Sequence, residues 1–211
     1  MFKKTCLALA LVGAAAAAHA GPTLINEGFD DVTALPGWQI SNQGTPGVGT
    51  TQPWVQGDQS IFTALSGAAN SYISSNYNNA PAGGTLSSWL VSPVFSTAEN
   101  LEVSFWARGD IVPGFFDQLT YGLIDAAGVF SSFAPQATVT VTGDWTQYSF
   151  QLAGQGAGST SRFAIQYIGS ADLANYVGVD NVTVNVPEPS TWALAGVSLL
   201  GLLAARRRKQ S

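Results

Sequence analysis

Through the central part of the chain apolar side chains fall at every second position, a spacing that fits a pleated strand with one buried face. Leu101, Val103 and Phe105 share one side of such a strand; Thr146, Tyr148, Phe150 and Leu152 do the same, as do Phe163, Ile165 and Tyr167. The run Thr138-Val139-Thr140-Val141-Thr142 alternates with β-branched residues throughout, which suits a pleated surface. Turn-formers separate these runs: Gly109-Asp110, Pro113-Gly114, Ala127-Gly128, Gly143-Asp144 and the stretch from Gly154 to Gly158. Helical periodicity is hard to find. The pattern predicts an all-β domain over residues 21–186, a single antiparallel β-sandwich of jelly-roll type. From Ser41 to Gly84 the chain is richer in Gly, Asn, Ser and Gln. Longer loops are expected there, with short strands such as Ser71-Tyr72-Ile73-Ser74.

The last run breaks its own rhythm. Val177 and Val179 have one parity, and Val182, Val184 and Val186 have the other. A bulge at Asp180-Asn181 is the simplest device that restores the phase. It would turn Asp180 into a defined environment instead of leaving it to face water.

Both ends read as routing segments. Residues 1–20 have the layout of a secretory leader: Lys3 and Lys4, the apolar run Leu7 to Ala18, then Ala18-His19-Ala20 as a site for signal peptidase. At the other end, Pro187-Glu188-Pro189 precedes an apolar run over 192–205, and Arg206, Arg207, Arg208 and Lys209 close it. As a helix, that run spans roughly 21 Å, marginal for a bilayer core of about 30 Å. The basic cluster acts as a stop-transfer signal held at the cytoplasmic face. Physics alone describes a chain exported N-terminus first and stalled by a short hydrophobic segment.

Residues 187–211 resemble the PEP-CTERM sorting signal, with the Pro-Glu-Pro motif, apolar helix and Arg-rich finish in the family's order. The resemblance implies recognition by exosortase, a membrane protease-transpeptidase, and cleavage near the motif. It implies a transient stay in the inner membrane of a Gram-negative-type bacterium, then delivery to the cell surface or extracellular matrix. Hosts of that kind make exopolysaccharide and biofilm, which makes exopolysaccharide an expected partner.

Composition narrows the chemistry of the middle. Between Gly21 and Pro187 there is no Cys, His, Lys or Met, and two bases, Arg108 and Arg162, face twelve acids, a net charge of −10. Disulfides, thiol chemistry, histidine acid–base work and His/Cys metal sites are excluded there, and so is a basic nucleic-acid footprint. An enzyme would have to use carboxylate pairs such as Asp110 with Asp117 or Glu99 with Glu102, whose spacing is not diagnostic. The expectation is a non-catalytic protein, with Arg108 and Arg162 paired to nearby acids.

A second resemblance runs through the body of the chain. Phe29-Asp30-Asp31 with Leu35-Pro36-Gly37-Trp38 is similar to the opening of MAM-like, adhesin-type jelly rolls. Asn70-Ser71-Tyr72-Ile73, Ser88-Trp89-Leu90-Val91-Ser92-Pro93, Val103-Ser104-Phe105-Trp106-Ala107-Arg108 and Tyr176-Val177-Gly178-Val179-Asp180-Asn181-Val182 fit its choice-of-anchor J branch. This implies an extracellular sandwich without established catalysis, and a structural cation near the first and last strands. The surplus of acids points the same way, because calcium takes six to eight oxygens from irregular loops. Glu27, Asp30, Asp31 and Asp180 are the candidate ligands, with Asp30 and Asp180 expected to share the ion. Trp54, among Gln and Gly, and Trp106, out of phase with Val103 and Phe105, are the tryptophans expected to be exposed for stacking on sugar rings. The function expected is that of an exported surface or matrix protein. A carbohydrate-binding module and a glycan-active hydrolase are the alternatives.

Overall fold

The computed structural model describes residues 21–187. The leader 1–20, Glu188, Pro189, the apolar run 192–205 and the basic cluster 206–209 lie outside them. Pro22 to Pro187 form one compact unit. It is built from twelve strands: β1 (Thr23–Glu27), β2 (Gln39–Asn42), β3 (Val55–Gln56), β4 (Ile73–Asn76), β5 (Thr85–Val91), β6 (Phe95–Ser96), β7 (Leu101–Gly109), β8 (Gln118–Asp125), β9 (Ala134–Thr140), β10 (Thr146–Leu152), β11 (Thr160–Ser170) and β12 (Tyr176–Asn185). The helical elements among the described residues are three single 3-10 turns, at Tyr77–Asn79, Phe130–Ser132 and Ala171–Leu173. None is long and apolar enough to cross a membrane.

The strands form two antiparallel sheets, as the alternation predicts. Sheet A runs β10-β7-β12-β4-β3, with β1 pairing to the far half of β12. Sheet B runs β2-β5-β11-β8-β9, with β6 added on β11. Leu101, Val103 and Phe105 of β7 meet Phe163, Ile165 and Tyr167 of β11 in the shared core. Phe105 and Phe163 lie with ring centroids 5.7 Å apart. Thr146, Tyr148, Phe150 and Leu152 are half-buried because β10 is the edge of its sheet.

The phase break in β12 is a bulge. Its register against β7 slips between Asp180 and Thr183. Asn181 adopts φ 48°, the left-handed region that Asn tolerates better than most side chains. Val177 and Val179 before the slip, and Val182 and Val184 after it, are all buried in the core.

The loop between β3 and β4 folds back over the outer face of sheet A. Phe62 stacks on Tyr72, centroids 5.0 Å apart, and Tyr176 and Trp145 close around them. Gly178 lies beneath. A Cβ at that position would come within 2.8 Å of the Tyr72 ring and 2.9 Å of Phe62. The absence of a side chain at 178 is therefore what lets the loop lie down on the sheet.

Candidate functional site

The pairing of β1 with β12 brings the first acidic segment next to the bulge. Glu27 is the register partner of Val182, and a Cβ on Gly28 would lie 3.5 Å from Asn181 Oδ1. The chain then turns sharply. Phe29 takes φ 54°, donates its N–H to Glu27 Oε1 at 2.9 Å, and packs against Trp38 in the core. Burying Phe29 throws Asp30 outward, toward the loop at Ser66-Gly67. A Cβ on Gly67 would sit 3.0 Å from Asp30 Oδ1.

Asp180 is 0% exposed. Its Oδ2 accepts the N–H groups of Leu65 (3.0 Å) and Ser66 (3.3 Å), and its Oδ1 accepts the N–H of Asn181 at 2.6 Å. Ser66 Oγ donates to Asn181 Oδ1 at 3.1 Å. Burial pushes the Asp180 carboxyl up to about 6, the three N–H groups hold it down in part, and the Asp30 charge adds to the rise.

Of the four acids expected to form a cation site, two share this neighbourhood. Asp31 is exposed and turned to Thr33, accepting its N–H and hydroxyl at 2.9 and 2.6 Å, which lowers its pKa. Glu27 is engaged by the N–H of Phe29. Among the described residues no group of three or more Asp, Glu, His or Cys side chains is placed to hold a metal ion. Asp30 and Asp180 are the two acids brought near each other here, and both Asp180 oxygens already accept backbone N–H groups.

The two tryptophans separate. Trp106 is half-buried on the outer face of β7, with Asp180 and Gln147 as its register partners. Trp54 departs from expectation: it is 3% exposed and belongs to the core cluster, so it offers no face for stacking. Its Gln and Gly neighbours form the surface of a loop, but that loop needs an apolar plug beneath it, and Trp54 fills the space. The arginines also depart from expectation. Arg162 ties three loops by donating to the carbonyls of Ala126, Gly37 and Ser92 at 2.8–3.1 Å. Arg108 lies over the Phe62 ring, 4.6 Å from its centroid.

The two nominated carboxylate pairs differ in their surroundings. Asp117 is 1% exposed and accepts the Tyr167 hydroxyl and the N–H groups of Asn175 (2.8 Å) and Tyr176 (3.3 Å). Burial raises its pKa, against the pull of these donors, and Asp110 adds to the rise. Asp110 in turn accepts from Asn175 Nδ2 at 2.9 Å. Glu99 and Glu102 are exposed around the start of β7.

Comparison with known proteins addresses the tail and the sandwich separately. Residues 185–209 match the family model described as the PEP-CTERM protein-sorting motif, which implies export and processing by an exosortase. No curated protein matches the chain. The K1 cleaved adhesin domain of Lys-gingipain from Porphyromonas gingivalis superposes with a TM-score of 0.62 at 18% identity, over 79% of this chain and 99% of that one. The K3 domain of the same protein gives 0.58 at 20% identity, over 78% and 98%. An arabinose-bound MgGH51 α-L-arabinofuranosidase gives 0.51 at 18% identity, over 79% of this chain and 26% of the enzyme. These likenesses show the fold, a β-sandwich of two antiparallel sheets. The choice-of-anchor J grouping rests on the short motifs alone.

Proposed function

We propose that this chain is an exported, non-catalytic β-sandwich that an exosortase sorts to the cell surface or extracellular matrix, where it associates with exopolysaccharide. The observation that carries the reading is a sorting motif over 185–209 following an adhesin-type sandwich. The nominated carboxylates support it from the other side: Asp117 is buried and committed to structural hydrogen bonds. The test is to replace Pro187, Glu188 and Pro189 together by alanine in the native host. The variant is expected to accumulate in the inner-membrane fraction at higher mass than wild type. Equal surface delivery, with unchanged mass, would overturn the sorting claim.

A structural calcium ion held by Asp30 and Asp180 belongs to the same proposal. It is supported by a fully buried carboxylate raised by burial and by a second acid beside it. The sign of the pH effect follows from that shift. A carboxyl bound more tightly to its proton when folded contributes stability that is complete below the unfolded value near 3.8 and is lost as pH rises through about 6. In EDTA, stability is therefore expected to fall between pH 4 and 7 by on the order of 2 kcal/mol, after allowance for solvent screening. Calcium would reverse that trend, raising the melting temperature at pH 7 more than at pH 5. A melting temperature insensitive to calcium at both pH values would eliminate the ion.

A further inference from the structure

The edge strands β2 and β3 flank a groove of about 890 Å³, within the roughly 300–1,000 Å³ span of small-ligand clefts. Ile40 and Val48 supply exposed apolar surface to it, Trp54 lies beneath as part of its floor, and Ser41, Thr50 and Gln52 supply hydroxyl and amide groups. Among the described residues none that lines it carries a charge, although the middle of the chain holds twelve acids. The Trp54 Nε1–H is buried and has no hydrogen-bond partner. Buried indole N–H groups normally find one.

The wall is built and held in place. Gly49 and Thr50 donate their N–H groups to the carbonyls of Asn79 and Asn78, both at 2.8 Å. Thr51 Oγ1 donates to Asn79 Oδ1 at 2.6 Å, and Asn79 Nδ2 donates to Pro53 O at 2.8 Å. Asn79 is fully buried. A Cβ on Gly49 would fall 1.9 Å from Asn78 O, so the segment lies flush on its support. A wall ordered before binding spares the ligand the cost of ordering it.

We propose that this groove binds a neutral oligosaccharide, a stretch of uncharged polysaccharide chain. Ile40 and Val48 meet the C–H faces of the sugar rings, while Thr50 and Gln52 address hydroxyls; Trp54, buried beneath them, reports on the groove without touching the ligand through its N–H. Charge decides between ligand classes. An anionic polymer would meet the field of a net −10 domain with no base in the groove, and a cationic one would find no carboxylate there. A peptide added as a strand is disfavoured, because the flanking edges are four and two residues long and offer too few backbone partners. The proposal rests on the reading that the protein associates with exopolysaccharide.

The test uses the full chain in mild detergent, labelled with nitrogen-15, and follows the indole N–H signals. The Trp54 signal is assigned by its loss in Trp54→Phe. The probes are xylohexaose, cellohexaose, neutral oligomers from partial hydrolysis of the host's exopolysaccharide, hexagalacturonate, and a mixture of uncharged hexapeptides. At least one neutral sugar is expected to shift the Trp54 signal, and hexagalacturonate is not. Val48→Arg, at a rim position 69% exposed and so neutral to folding, is expected to weaken binding about tenfold or more. Neutral-sugar binding that survives Val48→Arg but is lost in Trp106→Ala would overturn the groove and leave the exopolysaccharide reading standing. A Trp54 shift with the peptides alone would overturn the ligand class. No shift with any probe would overturn the groove outright, while surface delivery in the Pro187-Glu188-Pro189 experiment judges the wider reading independently.

Discussion

Replacing Asp180 with alanine is expected to lower the melting temperature in EDTA at pH 7 by about 5–10 °C, corresponding to roughly 2–3 kcal/mol in a domain of this size. Asp180 receives the N–H groups of Leu65, Ser66 and Asn181, and each bond to a buried carboxylate contributes about 1.5 kcal/mol or more. The buried charge offsets part of that gain, as the rise of its pKa to about 6 records. At pH 5 the offset shrinks in wild type, and alanine has none to lose. The gap between the two proteins should therefore widen on acidification. The loss should also be local at first. Leu65 and Ser66 belong to the loop that seats Phe62 and Tyr72 over Gly178, so chymotrypsin should gain access to Phe62, which wild type buries. A variant with a melting temperature within 2 °C of wild type and no new cleavage there would show that the bulge carboxylate does not hold the loop.

How far these positions are legible in the chain depends on how local their cause is. The bulge follows from five valines whose parity changes across Asp180-Asn181, because a core face must receive all of them. The two faces of β7 and β11 follow from alternation alone. The approach of Asp30 to Asp180 depends on β1 pairing with β12, which short motifs near both ends anticipate. Asp31 and Glu27 stand apart for reasons of one or two residues' reach: each is satisfied by a neighbouring backbone N–H. The loop over sheet A could not be read, since its seat is Gly178, more than a hundred positions away, and a glycine between valines does not say what will cover it. Trp54 misleads for a related reason. Polar neighbours describe the water side of a loop and are silent about the apolar volume beneath. Arg108 and Arg162 show the same limit, because a guanidinium also finds carbonyl oxygens or an aromatic ring, and loop packing decides which is in reach.

The second large effect separates a structural acid from a catalytic one. Asp117→Ala is expected to cost about 3–5 kcal/mol, enough to bring down the melting temperature by about 10 °C or more. The alanine would strand the Tyr167 hydroxyl and the N–H groups of Asn175 and Tyr176 in the interior. Asp117→Asn should be much milder, near 1 kcal/mol. The Tyr167 and Asn175 donors both converge on Oδ1, which the amide oxygen reproduces; the long 3.3 Å bond from Tyr176 to Oδ2 is the one it forfeits. Because burial raises the Asp117 carboxyl, losing its charge offsets part of that loss. A group whose neutral isostere suffices is a girder joining the start of β8 to the start of β12. A general acid or base would differ in turnover, which asparagine would abolish while retaining the fold. Thermal melts of the two variants, set beside assays on the host's own polysaccharide, distinguish these cases. Full stability in Asp117→Ala would refute the structural role, and turnover in wild type that vanishes in Asp117→Asn would make the domain an enzyme.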